Sequence, residues 1–162
     1  MSAVFFIALH DFRATASTLS RQCHDYDEML IMTGGKVHVR TNKRSFSANA
    51  GDIIFYQSGQ EHEERSDPSE PMECLHLCFK WNDRPKLLQL KLRDSAGGMR
   101  AAAEKLASTR DDSSMHGLRI RTYLLLGLLG EYLRLCGPRE DPLIIAAHRF
   151  ILKHAEEPFT LD

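Results

Sequence analysis

The sequence predicts a mainly β fold, a barrel or sandwich, followed by C-terminal helices, and three observations lead to that expectation. Over residues 1 to about 81, short apolar runs alternate with polar ones and are broken about every 8–12 residues by Gly, Asn, Asp or Ser, the spacing of an all-β domain. Beyond Pro85 the apolar residues change to helical spacing. A chain of 162 residues, 43% hydrophobic and 27% charged, suits one domain with a core large enough to need no staples.

Within the β half, Gly34-Gly35 separates Met29-Leu30-Ile31-Met32 from Lys36-Val37-His38-Val39-Arg40 and predicts a hairpin. Thr41-Asn42-Lys43-Arg44 is a second polar turn, and Gly51-Asp52 opens the run Ile53-Ile54-Phe55-Tyr56. Ser66 to Pro71 is a loop by its Ser, Asp and Pro content, and a last long strand runs from Cys74 to Trp81.

In the helical half, Met99, Ala102, Ala103, Leu106 and Ala107 form one stripe, with Ser95 the expected N-cap and Gly97-Gly98 weakening the first turn. A longer helix is expected from about Met115 to Cys136, between Asp111-Asp112-Ser113-Ser114 and the stop signal Gly137-Pro138. A third should begin at Asp141-Pro142 and end before Pro158. Leu118, Leu125 and Tyr132 fall on or near one face of the long helix, and Leu128 and Leu129 widen the apolar band beyond one core-facing stripe. These five residues are the expected homodimer surface, with full burial inside the chain's own domain as the alternative. The expected organisation is a β-domain over residues 1–83, a helical dimerisation or linker segment over 84–138, and the start of a further domain over 139–162.

The net charge of −1 argues against nucleic-acid binding by these residues themselves. Four cysteines without a C-x-x-C pair suggest no disulfide framework, the apolar N-terminus lacks a basic region, and the longest apolar run, Tyr123–Leu129, is far too short to span a membrane. A reduced, cytoplasmic protein is the expectation.

The chemistry concentrates in the β half. Gln22, His24, Tyr26 and Glu28 have even numbers and would share one strand face. Two spacings stand out: Gln22-x-His24-x3-Glu28-x6-Gly35, and Gly51-x5-Gln57-x-Gly59-x2-His62. This pattern resembles the two motifs of the cupins, with Gln22 where the family has a His and Gln57 where it has a Pro. The resemblance covers the first 81 residues or so and implies a cupin-like β-barrel, a double-stranded β-helix. In metal-bearing cupins these positions hold one divalent ion, so it implies His24, Glu28 and His62 as metal ligands. Such a set suits Fe, Mn, Ni or Zn, weakened by the amide of Gln22. Two other readings stay open: a pocket for an organic ligand without any metal, and polar groups that satisfy one another in the interior.

Cys74, His76 and Cys78 share a strand face, but Cys74 and Cys78 should lie about 13 Å apart, too far for one ion. His76 can still face the pocket. Tyr56 and Trp81 offer stacking surfaces or, more simply, core packing.

The rest of the chain resembles AraC-type transcription regulators, in which a cupin domain precedes dimerising helices and a DNA-binding domain of two helix-turn-helix units. The run Leu143–His154 and the junction Glu156-Glu157-Pro158-Phe159-Thr160-Leu161 resemble the opening of that DNA-binding domain. Thr160 would cap a helix that the chain enters for only two residues, so a continuation beyond Asp162 is expected. The resemblance implies a sensing and dimerisation module that is no enzyme and reaches promoter DNA only through the missing domain. A sugar or other polar metabolite would be its effector, held by His24, Tyr26, Glu28, Tyr56, His62 and His76. The alternatives are a cupin metalloenzyme (a dioxygenase or isomerase) and a stand-alone sugar-binding cupin.

Overall fold

The computed structural model of the protein describes residues 4–14, 18–85 and 88–137. The third helix, the expected domain over 139–162 and the Pro158 junction lie outside the described residues.

Among the described residues, nine strands and two helices follow one another: β1 (Val4–Ala14), β2 (Thr18–Gln22), β3 (Asp27–Gly34), β4 (Lys36–Thr41), β5 (Ser45–Asn49), β6 (Asp52–Tyr56), β7 (His62–Ser66), β8 (Met72–Trp81), β9 (Lys91–Arg93), α1 (Gly98–Ala107) and α2 (Met115–Cys136). The strands form two antiparallel sheets, ordered β1-β8-β3-β6-β9 and β2-β7-β4-β5. The loops expected at Thr41–Arg44 and Ser66–Pro71 join β4 to β5 and β7 to β8.

Two cores result, divided by the five-stranded sheet. Because side chains alternate across a strand, Leu30 and Met32 of β3, Ile54 and Tyr56 of β6 and Cys74 of β8 turn inward to meet Val37, Val39 and Ala48 of the second sheet. Their neighbours Met29, Ile31, Ile53, Phe55, Leu75, Leu77, Phe79 and Trp81 turn outward and are covered by α1 and α2. Burial on both faces explains why β3 and β6 read as continuous apolar runs.

Three expectations are corrected here. Gly34-Gly35 is not a hairpin: β3 and β4 belong to different sheets, and Gly35 is the corner between them. Gly35 has φ +62°, and a Cβ there would lie 1.9 Å from the Pro71 carbonyl oxygen, so only glycine fits. Gln22 to Glu28 is likewise not one strand, since β2 ends at Gln22 and β3 begins at Asp27 in the other sheet. Third, Ser95 does not cap α1. Gly97 stands at the N-cap, and the Asp94 carboxylate accepts the Arg100 N–H at 3.0 Å.

The sheet also extends past residue 83, where the sequence reads as helical. The three residues of β9 pair with β6, and Lys91 and Arg93 reach the buried Asp52 carboxylate at 3.0 and 3.1 Å. The long helix has the expected limits, and the Ser114 hydroxyl accepts the Gly117 N–H at its start.

The dimer surface is the largest correction. Leu125, Leu128, Leu129 and Tyr132 are at most 2% exposed and belong to the chain's own core, where Tyr132 lies 5.1 Å from Phe55, ring to ring. The β-sheet covers most of the broad apolar band of α2. Of the five expected residues only Leu118, 45% exposed, faces outward, alongside Met115, Tyr123 and Leu126.

The two faces of α2 should therefore respond differently to truncation. Leu128→Ala is expected to cost about 2–5 kcal/mol of stability in urea unfolding, and Leu126→Ala no more than about 0.5 kcal/mol. Equal losses would contradict this assignment of faces.

Candidate functional site

The barrel interior becomes polar toward one end, and the register of β3 explains how. Glu28 lies directly across from Cys78 of β8 on one side and from Tyr56 of β6 on the other, while His76 pairs with Leu30 and so sits diagonally from Glu28. His62 opens β7 in the facing sheet. His24 comes from the link between β2 and β3, and its carbonyl accepts the N–H of Gly59, a residue at φ +79°. That single bond ties the first histidine of the pattern to the loop that leads into the second. The loop is held again by Asp27, which accepts the Ser58 and Trp81 N–H groups at 2.9 and 3.0 Å.

Glu28 is the centre of the cluster. Its Oε1 lies 2.5 Å from His76 Nε2; its Oε2 lies 3.2 Å from His62 Nε2 and 3.7 Å from His24 Nε2. The His62 contact is close but poorly directed, so Oε2 is buried without a well-formed hydrogen bond among the described residues. Glu28 and His62 are buried, whereas His24 and His76 are about a quarter exposed. A hollow of about 220 Å³ adjoins His62, lined also by Arg21, Arg40, Asn42, Glu61 and Glu63.

The surrounding groups orient these side chains. His62 Nδ1 lies 3.0 Å from the Gln60 carbonyl oxygen, which can only accept, so Nδ1 carries a proton and Nε2 is the atom offered to Glu28. The Tyr56 ring stacks on His62 at 3.8 Å, nearly parallel, and its hydroxyl donates to buried Glu64 at 2.8 Å. Tyr26 stacks on His24 at 4.7 Å. The Gln22 amide oxygen faces His24 Nε2 at 3.0 Å, so the residue that departs from the cupin pattern still meets the site.

The sequence thus named residues that the fold does assemble: His24, Tyr26, Glu28, Tyr56, His62 and His76 all lie at this end of the barrel. Trp81 does not; it packs in the outer core beneath the helices. Two members were missed. Glu64 is two residues beyond His62 in the same strand, a period-two signal that was available. Cys78 was set aside with Cys74, yet across the strands it pairs with Glu28.

Burial by itself would raise the Glu28 carboxyl, but the close His62 ring and the hydrogen bond from His76 outweigh it and hold the group at about 2. Burial opposes protonation of both histidines and is outweighed in turn: Glu28 and the Gln60 carbonyl raise His62, and Cys78 and Glu28 raise His76. Burial lifts Glu64 and, together with Glu64, lifts the Tyr56 hydroxyl. Without a metal, the pairing favours the Glu28 carboxylate together with the protonated forms of His62 and His76.

The same atoms fit a divalent ion. His24, Glu28 and His62 each offer a ligand atom, all within 4.8 Å of one another, and Glu28 Oε2 is buried without a hydrogen-bond partner among the described residues. Two imidazoles and a carboxylate leave positions open for exogenous ligands. An ion there would supply Lewis acidity.

Residues 9–78 match the family model for the cupin domain. The two-sheet antiparallel barrel that these residues build is a cupin fold, in agreement with that match. Among solved structures, the chain is similar to YhaK from Escherichia coli, at 15% identity and a TM-score of 0.45 over 59% of this chain and 52% of that one. It is similar to AerE from Microcystis aeruginosa at 18% identity and a TM-score of 0.44, over 49% and 38% of the two chains. A Trp-to-Tyr variant of oxalate decarboxylase from Bacillus subtilis is similar at 22% identity and a TM-score of 0.38, over 47% and 21%. The chain therefore spans about half the length of YhaK and about a fifth of the decarboxylase. These likenesses concern the fold alone. No curated protein matches the chain in sequence. Among the described residues no helix is long and apolar enough to cross a membrane.

The charge pattern sets a pH dependence for the metal-free protein. Glu28, lowered on folding, contributes stability above its ordinary value of 4.5 that is lost as the pH falls toward about 2. His62 and His76, raised on folding, contribute stability below their ordinary value of 6.5 that is lost as the pH rises through their folded values. Glu64, raised by burial, contributes stability below its ordinary value of 4.5 that is lost as the pH rises through its folded value, a decline that begins before that of the histidines. After chelator treatment the urea midpoint should be highest between pH 4.5 and 6.5, and His76→Gln should flatten the alkaline limb. A midpoint that climbs steadily through about pH 8 would contradict this.

Proposed function

We propose that this cupin domain is the ligand-sensing and dimerisation module of an AraC-type transcription regulator. A small polar metabolite, such as a sugar, binds at Glu28, His24, His62 and His76 and biases the helices packed outside the barrel. The domain senses and does not catalyse. Promoter DNA is reached through a separate DNA-binding domain, and a second copy docks on the outward face of α2 around Leu118.

The observation that carries this reading is the pairing of neighbours on β6. Tyr56 stacks on His62 inside the barrel, and Phe55, the next residue, packs on Tyr132 of α2 outside it. A ligand that moves the His62 ring therefore acts on the helix across a single strand. Adjacent strands support the same route, with Glu28 inside and Met29 outside on β3. The net charge of −1 agrees with DNA contact lying elsewhere. Ligand binding can shift the helices only by favouring one arrangement over another.

The alternative of a cupin metalloenzyme draws on the unpartnered Glu28 Oε2 and its convergence with His24 and His62. In that case the ion would bind on those three residues and a substrate would occupy the open coordination positions.

A thermal-shift screen of sugars and organic acids should yield a ligand whose stabilisation is lost in Glu28→Gln. With that ligand saturating, amide exchange in α2 should change, and the full product of the gene should bind DNA with altered affinity. Unchanged α2 exchange together with unchanged DNA affinity would overturn the regulator reading.

A further inference from the structure

Glu28 has two carboxylate oxygens, and each faces a different set of donors. Oε2 belongs to the face with His24 and His62. Oε1 belongs to a second face, formed with His76 and Cys78 of β8, whose ligand atoms also lie within 4.8 Å of one another. We infer that this second face, made of Glu28 Oε1, His76 Nε2 and Cys78 Sγ, is a binding site for a thiophilic divalent cation of the Zn²⁺ class.

Geometry supports the assignment. Cys78 Sγ lies 3.6 Å from His76 Nε2. Around a tetrahedral Zn²⁺ with Zn–S of about 2.3 Å and Zn–N of about 2.05 Å, sulfur and nitrogen stand about 3.6 Å apart. The His76–Glu28 edge is 2.5 Å, shorter than the roughly 3.3 Å such an ion sets between nitrogen and oxygen. Loading therefore replaces a hydrogen bond by two metal bonds and parts these atoms by less than 1 Å. Register holds the set in place: Cys78 faces Glu28 directly across the β3–β8 ladder and His76 faces it diagonally, all three on the strands that line the barrel. The His76 ring is about a quarter exposed, which gives an ion a way in and leaves a fourth position for water or an organic ligand.

Donor chemistry distinguishes the two faces. His24, Glu28 and His62 offer nitrogen and oxygen, which suit iron, manganese or nickel as well as zinc. A thiolate selects softer ions. As the metal binds, the Cys78 thiol and the Nε2–H of His76 each lose a proton to solvent, so binding weakens with falling pH. Cys74 is no part of the site; it is buried with Met32 and Val39 in the barrel core.

This inference rests on the barrel interior being a binding site and is independent of any role in transcription. Co²⁺ titrated into the metal-free, reduced protein is the probe, because a thiolate ligand to Co²⁺ gives a near-ultraviolet charge-transfer band that nitrogen and oxygen ligands do not. The wild-type chain should develop this band at one equivalent. Cys78→Ser should abolish it, and His76→Ala should weaken Co²⁺ binding about ten-fold or more. Cys74→Ser, Cys23→Ser and His24→Ala should retain it. X-ray absorption of the Zn²⁺-loaded wild-type protein, which needs no variant, should show one sulfur at about 2.3 Å. Co²⁺ that binds without the band, and Zn²⁺ without a sulfur neighbour, would place the ion on the His24–Glu28–His62 face and overturn this site while leaving that one intact. A band that persists in Cys78→Ser, or no binding at all, would overturn it equally.

Discussion

A carboxylate buried in a β-barrel must be compensated, and the compensation of Glu28 organises this end of the molecule. Desolvation of a lone carboxylate is costly enough that the group would neutralise or drive the chain to rearrange. Here imidazoles from three directions meet it: His76 from the adjacent strand β8, His62 from the facing sheet and His24 from the β2–β3 link. The groups behind them follow from the same requirement. Gln60 fixes the proton of His62, Tyr56 covers its ring, and Gly59 holds the His24 backbone. The cluster thus joins both sheets at the point where the barrel is most polar, and it leaves Oε2 unpartnered by the criteria of a good hydrogen bond. An unsatisfied buried oxygen among nitrogen donors is costly as structure and useful as a binding site.

The position of this cluster gives it mechanical reach. The five-stranded sheet is largely buried on both faces along β3 and β6, because its inner side is barrel core and its outer side lies beneath α1 and α2. Adjacent residues of one strand therefore belong to different cores. A displacement of Tyr56 or Glu28 inside is a displacement of Phe55 or Met29 outside, in a region packed too closely to absorb it. The second donor set uses the same property, since Cys78 faces the barrel while Leu77 and Phe79 face the helices. The proposed coupling of the site to α2 rests on this alternation.

The sequence made the site more legible than the topology. Spacing between Gln22, His24, Glu28, Gly35, Gly51, Gly59 and His62 identified the cupin domain and its polar centre, because those intervals are set by strand lengths and corners that the fold cannot vary freely. The route to it was partly wrong: His24 and Glu28 do not share a strand face and meet because the chain crosses between sheets. Gly34-Gly35 failed as a hairpin signal since paired glycines mark any sharp reversal, and only tertiary packing against Pro71 makes this one a corner. The clue was the unbroken apolar run Met29–Met32, the pattern of a strand covered on both sides. The three residues of β9 have no strand propensity of note and are held by Asp52. The apolar width of α2 was read correctly, but not which part of it the chain's own sheet would claim. Cys78 was invisible because its partner is cross-strand, and cross-strand register is not written in linear spacing.

The central claim is that one carboxylate, Glu28, sets the state of the histidines around it. Side-chain ¹⁵N NMR titration of the histidines, in the metal-free wild-type protein and in Glu28→Gln, tests it most directly. The account predicts that His62 stays protonated at Nδ1, that His62 and His76 titrate above the ordinary imidazole value of 6.5, and that both fall together when Glu28 loses its charge. Titration of His62 and His76 at or below that value, or values that Glu28→Gln leaves unmoved, would contradict it.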